Sequence, residues 1–181
     1  MTTTYLDVET TFVVDENRRT DPSPFNANNK LVTVQYSHNN ELPQLHWFYH
    51  KDMDEMSTEM AVGEAFNLVQ NVLDKTTLLV GHNIKFDLMW LWESGFTYDG
   101  KVYDTMIGEY ILMRGQKWGL SLYDSCVRRK VALKKSDLTH NYLKDGIGFD
   151  AMPMDIVYEY GVADIESTKQ LHLAQEEIFK N

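Results

Sequence analysis

The sequence predicts an α/β fold, a mixed β-sheet flanked by helices, and three observations predict it. Element order is the first: three strands, then alternating helix and strand, then helices to the end, the pattern of a sheet covered by helices. The second is the change of hydrophobic period along the chain, from every second residue early on to three and four apart later. The third is size, because 181 residues with 43% apolar content suit one domain with a substantial core.

Tyr5-Leu6-Asp7-Val8-Glu9-Thr10-Thr11 reads as the first strand. Side chains two apart share a face of a strand. Asp7 and Glu9 therefore project together, and Leu6 and Val8 project to the opposite, packed face. Like charges this close repel unless a cation lies between them, and hard divalent cations prefer carboxylate oxygens. Two solvated acids on an edge strand give the same pattern. Thr11 to Asn29 is polar, holds Pro22 and Pro24, and reads as a long loop of the kind that often carries function. Leu31 to Tyr36 alternates as a strand, His38-Asn39-Asn40-Glu41 turns, and Gln44 to Tyr49 returns, completing a meander.

Ser57, or alternatively Thr58, opens a helix that runs through Leu73 on a stripe of Met60, Phe66, Val69 and Val72. Thr77-Leu78-Leu79-Val80 is a continuous apolar run that suits a buried strand. Gly81-His82-Asn83 turns the chain into a helix to about Glu93, closed by Gly95. Val102-Tyr103 is a short strand, followed by a helix from Asp104 to about Met113. Leu120 to Arg129 is helical, and so is the chain from Pro153 to the end, with a break expected near Gly161.

Composition excludes several classes. No apolar run approaches the ~20 residues of a membrane span, and Met1-Thr2-Thr3-Thr4 leads into the first strand without a signal peptide. No membrane partner is expected. The single cysteine, Cys126, fits a reducing cytoplasm. Net charge is −10, but it is unevenly spread. Between Arg114 and Lys144 eight bases, among them Arg128, Arg129, Lys130, Lys134 and Lys135, face only Asp124 and Asp137. Such an insert can track a phosphate backbone, or it can be a solvated helix face.

Two further stretches carry acids. Asp87 stands early in a helix among Phe86, Leu88, Met89, Trp90 and Leu91. A charge in that company needs a partner, although Asp in a first turn also complements the helix dipole. Asn83 before it is placed to cap the helix. In the late helix Tyr160 and Asp164 are four apart and share a face, so a phenol and a carboxylate address one small volume.

In order, these are Asp-x-Glu on a first strand, Asn-x-x-x-Asp after a buried strand, and Tyr-x-x-x-Asp on a late helix. The set resembles the DEDD superfamily of 3′–5′ exonucleases, which includes the proofreading domains of family A DNA polymerases and RNase D-like enzymes. The resemblance runs from Asp7 past Asp164. Tyr103-Asp104-Thr105-Met106 also looks like a recurring segment of such domains, with no metal assigned to Asp104. Tyr160 places the chain in the tyrosine subgroup, since the sister subgroup carries histidine where Glu159 stands.

The resemblance implies a ribonuclease H-like fold, a single exonuclease domain over residues 1–181, and two divalent cations, Mg²⁺ or Mn²⁺. By that analogy Asp7 bridges both ions, Glu9 and Asp164 complete the first, Asp87 serves the second, and Tyr160 orients the attacking water. Phe12 or Val13 would wedge against the terminal base of a frayed DNA 3′ end. Asn83 would contact the terminal nucleotide. Thr10 and His82 join the substrate-contacting set, although His82, at a helix start, equally suits a structural role. Arg128 and Arg129 would hold the incoming strand. Because the chain ends at Asn181, a free-standing, phage-type exonuclease is expected, or one paired with a separate DNA polymerase chain. An RNA-trimming exonuclease and a catalytically silent polymerase-binding scaffold are the rival readings.

Overall fold

The computed structural model describes every residue except Met1, Asp15, Arg18, Asn40, Asp54, 132–136 and Asn181, and for 55–58 it describes the backbone only. The first helix begins at Glu55, ahead of the openers Ser57 and Thr58 that the sequence suggested, whereas the turn residue Asn40 and Lys134 and Lys135 of the basic insert lie outside the described residues.

Strand β1 (Thr3–Thr10) is the centre of a five-stranded sheet. On one side it pairs antiparallel with β4 (Leu31–His38), which pairs antiparallel with β5 (Gln44–Trp47). On the other it pairs parallel with β6 (Leu78–Gly81), which pairs parallel with β7 (Lys101–Asp104). The sheet order is thus β5-β4-β1-β6-β7, a mixed sheet. The loop after β1 is less irregular than its composition suggested. It contains a two-stranded ribbon, β2 (Val13–Val14) against β3 (Thr20–Asp21), and the indole of Trp90 donates to the Pro22 carbonyl at 3.0 Å.

Helices cover both faces. Leu6 and Val8 of β1 join Val34, Leu79, Val69 and Leu73 of α1 (Glu55–Lys75), and Leu88 and Leu91 of α2 (Ile84–Glu93) in the main core. Tyr5 points the other way and packs with Val80 and Ile165 of α6 (Met154–Lys180). The alternation read in β1 is therefore realised, and its odd-numbered residues face α6. Gly95 ends α2 in the left-handed region at φ +91°.

Asp104 caps α3 (Thr105–Leu112), accepting from the Met106 and Ile107 amides. Ser121 caps α4 (Leu122–Arg129) and exchanges hydrogen bonds with Asp124. A short helix, α5 (Asp137–Lys144), within the basic insert was not anticipated.

The break expected near Gly161 is absent: α6 runs unbroken for 27 residues. The glycine serves a different purpose. A Cβ there would sit 3.1 Å from Leu45 and 3.2 Å from Gln35, so the missing side chain lets α6 lie directly on β4 and β5. That close approach brings the next turns of α6 over the acids of β1.

Candidate active site

Asp7, Glu9 and Asp164 meet where α6 crosses β1. Each offers a carboxylate oxygen, and these oxygens lie within 4.8 Å of one another. Glu9 and Asp164 are buried and Asp7 is half-buried. Three carboxylates at this spacing are an oxygen-only donor set, suited to a hard divalent cation, which would also relieve their mutual repulsion. A bulge between Glu9 and Thr10 breaks the β1–β4 register just past the second acid, a common device for re-aiming side chains beside a site.

Asp87 stands beside this trio rather than in it. It is 2% exposed, and its Oδ1 accepts the Val8 amide at 3.0 Å, tying α2 to the middle of β1. Burial pushes its carboxyl well above the usual range, and the nearby Asp7 charge pushes the same way, against the bond from Val8. A divalent cation near Asp7 would reverse the second effect and favour the ionised form.

Tyr160 is buried over the cluster, its ring 5.5 Å from that of Phe149. Burial raises its phenol far above the ordinary value, and the charges of Glu9, Asp164 and Asp7 and a hydrogen bond to Asp164 add to the rise. The phenol therefore stays protonated at every physiological pH, able to hold and orient but not to act as a base.

Two residues at the site escaped the sequence reading. Gln35, directly opposite Asp7 on β4, donates its Nε2 to Asp7 Oδ2 at 2.6 Å. Thr33, next to Glu9 in the register, donates to Gln35 Oε1 at 2.9 Å. Both are fully buried. The signal was present: Thr33 and Gln35 are polar residues set between Val32, Val34 and Tyr36, two apart, on the face that Asp7 and Glu9 share.

A cleft of about 830 Å³ opens beside Glu9, with Thr10, Phe12, Phe86, Phe149 and Lys144 among its walls. Thr10 and Phe12 are thus placed next to the acids. Val13 begins the β2–β3 ribbon, whose Val14 and Thr20 also line the cleft.

The remaining sequence candidates are held elsewhere. The His82 ring bonds Thr105 Oγ1 at 2.9 Å and the Leu120 carbonyl at 2.8 Å, bracing the turn before α2 against α3 and the approach to α4. Asn83 adopts the left-handed conformation, makes no side-chain cap bond, and donates its amide to Asp104 Oδ1 at 3.0 Å. Arg128 and Arg129 converge on Glu109 of α3, at 2.7 and 2.9 Å. Glu109 is fully buried and also accepts from Gln175 at 3.1 Å. Burial favours the neutral acid there, but the bonds from Arg129, Arg128 and Gln175 outweigh it and hold the carboxyl below its usual value. These guanidiniums are structural partners of a buried acid, an arrangement no sequence spacing announced.

Residues 21–177 match the family model described as 3′–5′ exonuclease, and the chain belongs to that family. The matched span includes Asp87, Tyr160 and Asp164 and begins after Asp7 and Glu9, which the fold brings to Asp164. The chain is also 27% identical over 139 residues to a DNA polymerase of Escherichia phage T5, an alignment covering 64% of this chain and 15% of the polymerase.

Among solved structures, an apo nuclease superposes with a TM-score of 0.65 at 17% identity, over 97% of this chain and 72% of the other. Brucella melitensis NrnC with bound Mg²⁺ gives 0.62 at 18%, over 98% and 73%. The family B DNA polymerase of Pyrobaculum calidifontis gives 0.59 at 15%, over 98% of this chain and 24% of the polymerase. These likenesses establish the nuclease fold of ribonuclease H-like type. Among the described residues no helix is long and apolar enough to cross a membrane.

Proposed function

We propose that residues 1–181 form one metal-dependent 3′–5′ exonuclease domain of the tyrosine subgroup, acting on single-stranded or frayed DNA 3′ ends and releasing nucleoside 5′-monophosphates. The observation that carries this reading is the meeting of Asp7, Glu9 and Asp164 oxygens within 4.8 Å, beneath a protonated phenol and at the edge of a cleft. Asp7, Glu9 and Asp164 would hold one cation, and Asp7 with Asp87 a second, Mg²⁺ or Mn²⁺. Bound there, the ions supply positive charge to the scissile phosphate and make water more acidic.

The chain's own residues do the rest. Phe12 and Phe149 offer aromatic walls against which the last base can stack, a contact worth about 1–3 kcal/mol and indifferent to sequence. Tyr160 donates to Asp164, and a phenol oxygen can also accept a proton of the attacking water and aim it. Gln35 fixes the Asp7 carboxylate, and the Val8 amide fixes Asp87. Water oxygen bonds to phosphorus as the bond from phosphorus to the 3′ oxygen breaks, and that oxygen leaves with a proton as the new 3′ hydroxyl.

Sequence likeness to a phage DNA polymerase supports a DNA substrate and a proofreading or replication role, with a polymerase as partner. One observation favours a second reading: among structures of similar fold is Brucella melitensis NrnC bound to pGG, which suits a short-oligonucleotide or RNA substrate. DNA and RNA strands of one sequence, labelled at the 5′ end and incubated with Mg²⁺, decide between them. The proposal expects DNA to shorten stepwise from the 3′ end with 5′-mononucleotides as product. Faster loss of the RNA strand contradicts the DNA assignment, and internal cuts contradict the exonuclease.

A further inference from the structure

We propose that a second depression, across Phe12 from the acids, is a subsite for a phosphate of the upstream nucleotide; the proposal rests on the exonuclease reading above. The depression measures about 230 Å³ and is lined by Lys30, Lys51, Tyr49, Asn28 and Phe12, with Gly146 and Gly148 in its wall. Phe12 and Gly146 belong to both hollows. The ring of Phe12 lies 3.7 Å from where a Cβ of Gly148 would stand, so ring and loop together form a partition. On one side are Glu9 and the largely apolar cleft walled by Phe12, Phe86 and Phe149. On the other are two ammonium groups.

Both lysines are positioned. Lys30 is bonded to Thr11 in both directions, its carbonyl accepting from the Thr11 amide at 2.9 Å and its own amide donating to Thr11 Oγ1 at 2.7 Å. That fixes it beside Phe12. Its Nζ rests 3.9 Å above the Tyr49 ring. Lys51 donates its amide to the Asp150 carbonyl at 2.9 Å, and its Nζ lies 3.1 Å from Asp150 Oδ2. An ammonium has three donors, so Lys51 can keep Asp150 and still offer protons to a phosphate oxygen. Two cations against one carboxylate leave the hollow positive in a chain whose net charge is −10.

A strand whose last base fills the pocket beside Glu9 must pass Phe12. The phosphate on the 5′ side of the penultimate nucleotide then falls toward Lys30 and Lys51. The ligand class is a nucleotide phosphate monoester or diester, read without regard to base or sugar. The basic residues that govern the entering strand are then these two lysines of the β3–β4 and β5–α1 connections, and not the arginines of α4.

Three substrates test this: a dinucleotide with a 5′-phosphate, the same dinucleotide without it, and the p-nitrophenyl ester of thymidine 5′-monophosphate, which has no upstream nucleotide. The parent should cleave the phosphorylated dinucleotide about tenfold more efficiently in kcat/KM than its unphosphorylated counterpart, a difference of about 1.4 kcal/mol. In a Lys30→Met/Lys51→Met variant that difference should vanish while hydrolysis of the ester is unchanged. Where the dinucleotides are hydrolysed, a preference that survives in the variant, or is absent from the parent, overturns the subsite. Binding of the two fluorescently labelled dinucleotides in chelator is measured in parallel. Phosphate-dependent affinity lost in the variant supports the subsite even if no substrate is hydrolysed, an outcome that would overturn the exonuclease reading alone. Where the dinucleotides are not hydrolysed, phosphate-independent binding, or phosphate-dependent binding kept by the variant, overturns the subsite.

Discussion

At the scale of single residues, the site concentrates negative charge, with oxygens of Asp7, Glu9 and Asp164 within 4.8 Å of one another. Without cations, Asp7, Glu9 and Asp164 oppose folding by mutual repulsion. Asp164→Asn should therefore raise the thermal midpoint of the protein in chelator and abolish most of the stabilisation that Mg²⁺ gives the parent. A differential scanning measurement with and without Mg²⁺ checks both, and an unchanged Mg²⁺ increment would count against the cluster as a cation site. Tyr160→Phe removes one hydroxyl while keeping the ring against Phe149. It should lower kcat by roughly 100- to 1,000-fold, the scale of one positioned hydrogen bond in a catalytic site, with KM and stability little changed. Because the phenol stays protonated, the loss should be the same across the neutral range; a loss that varied with pH would mean that Tyr160 titrates.

At the scale of elements, the placement of α6 decides whether the acids meet. Its contact with β4 and β5 at Gly161 leaves no room for a branched side chain. Gly161→Val should cost about 1–3 kcal/mol by overpacking and depress activity more than stability explains, since Tyr160 and Asp164 move with the helix. Urea unfolding alongside the rate assay separates the two effects. The Glu109 clamp joins α3 to α4 and α6. Glu109→Gln should destabilise by about 2 kcal/mol, within the range for breaking buried charge-assisted bonds. Since the folded carboxyl titrates below its ordinary 4.5, its stabilising contribution is complete above that value and is lost as pH falls through the lower folded one. The parent should therefore lose stability on acidification there, and the Gln variant should lose less; equal slopes would contradict the assignment.

At the scale of the molecule, what could be read from the chain followed the reach of each signal. Period-two alternation is local, so β1 and the shared face of Asp7 and Glu9 were legible, as was the buried run that became β6. Helical spacing put Tyr160 and Asp164 together for the same reason. Gly161 misled because glycine weakens an isolated helix, whereas here a tertiary contact needs it. Arg128 and Arg129 looked available because their partner, Glu109, is about 20 positions away and only folding brings it in. Gln35 and Thr33 could have been found by asking what a polar residue is doing in an apolar strand.

The central claim is that these distant segments assemble one cation-dependent centre for phosphodiester hydrolysis. Its most direct test is a 5′-labelled single strand incubated with the parent and with Asp7→Asn, each in Mg²⁺ and in chelator. The account predicts shortening from the 3′ end by the parent in Mg²⁺ only, with the variant slower by at least about a thousandfold, as expected of carboxylates acting as a unit. Equal shortening by parent and variant, or undiminished shortening in chelator, would contradict it.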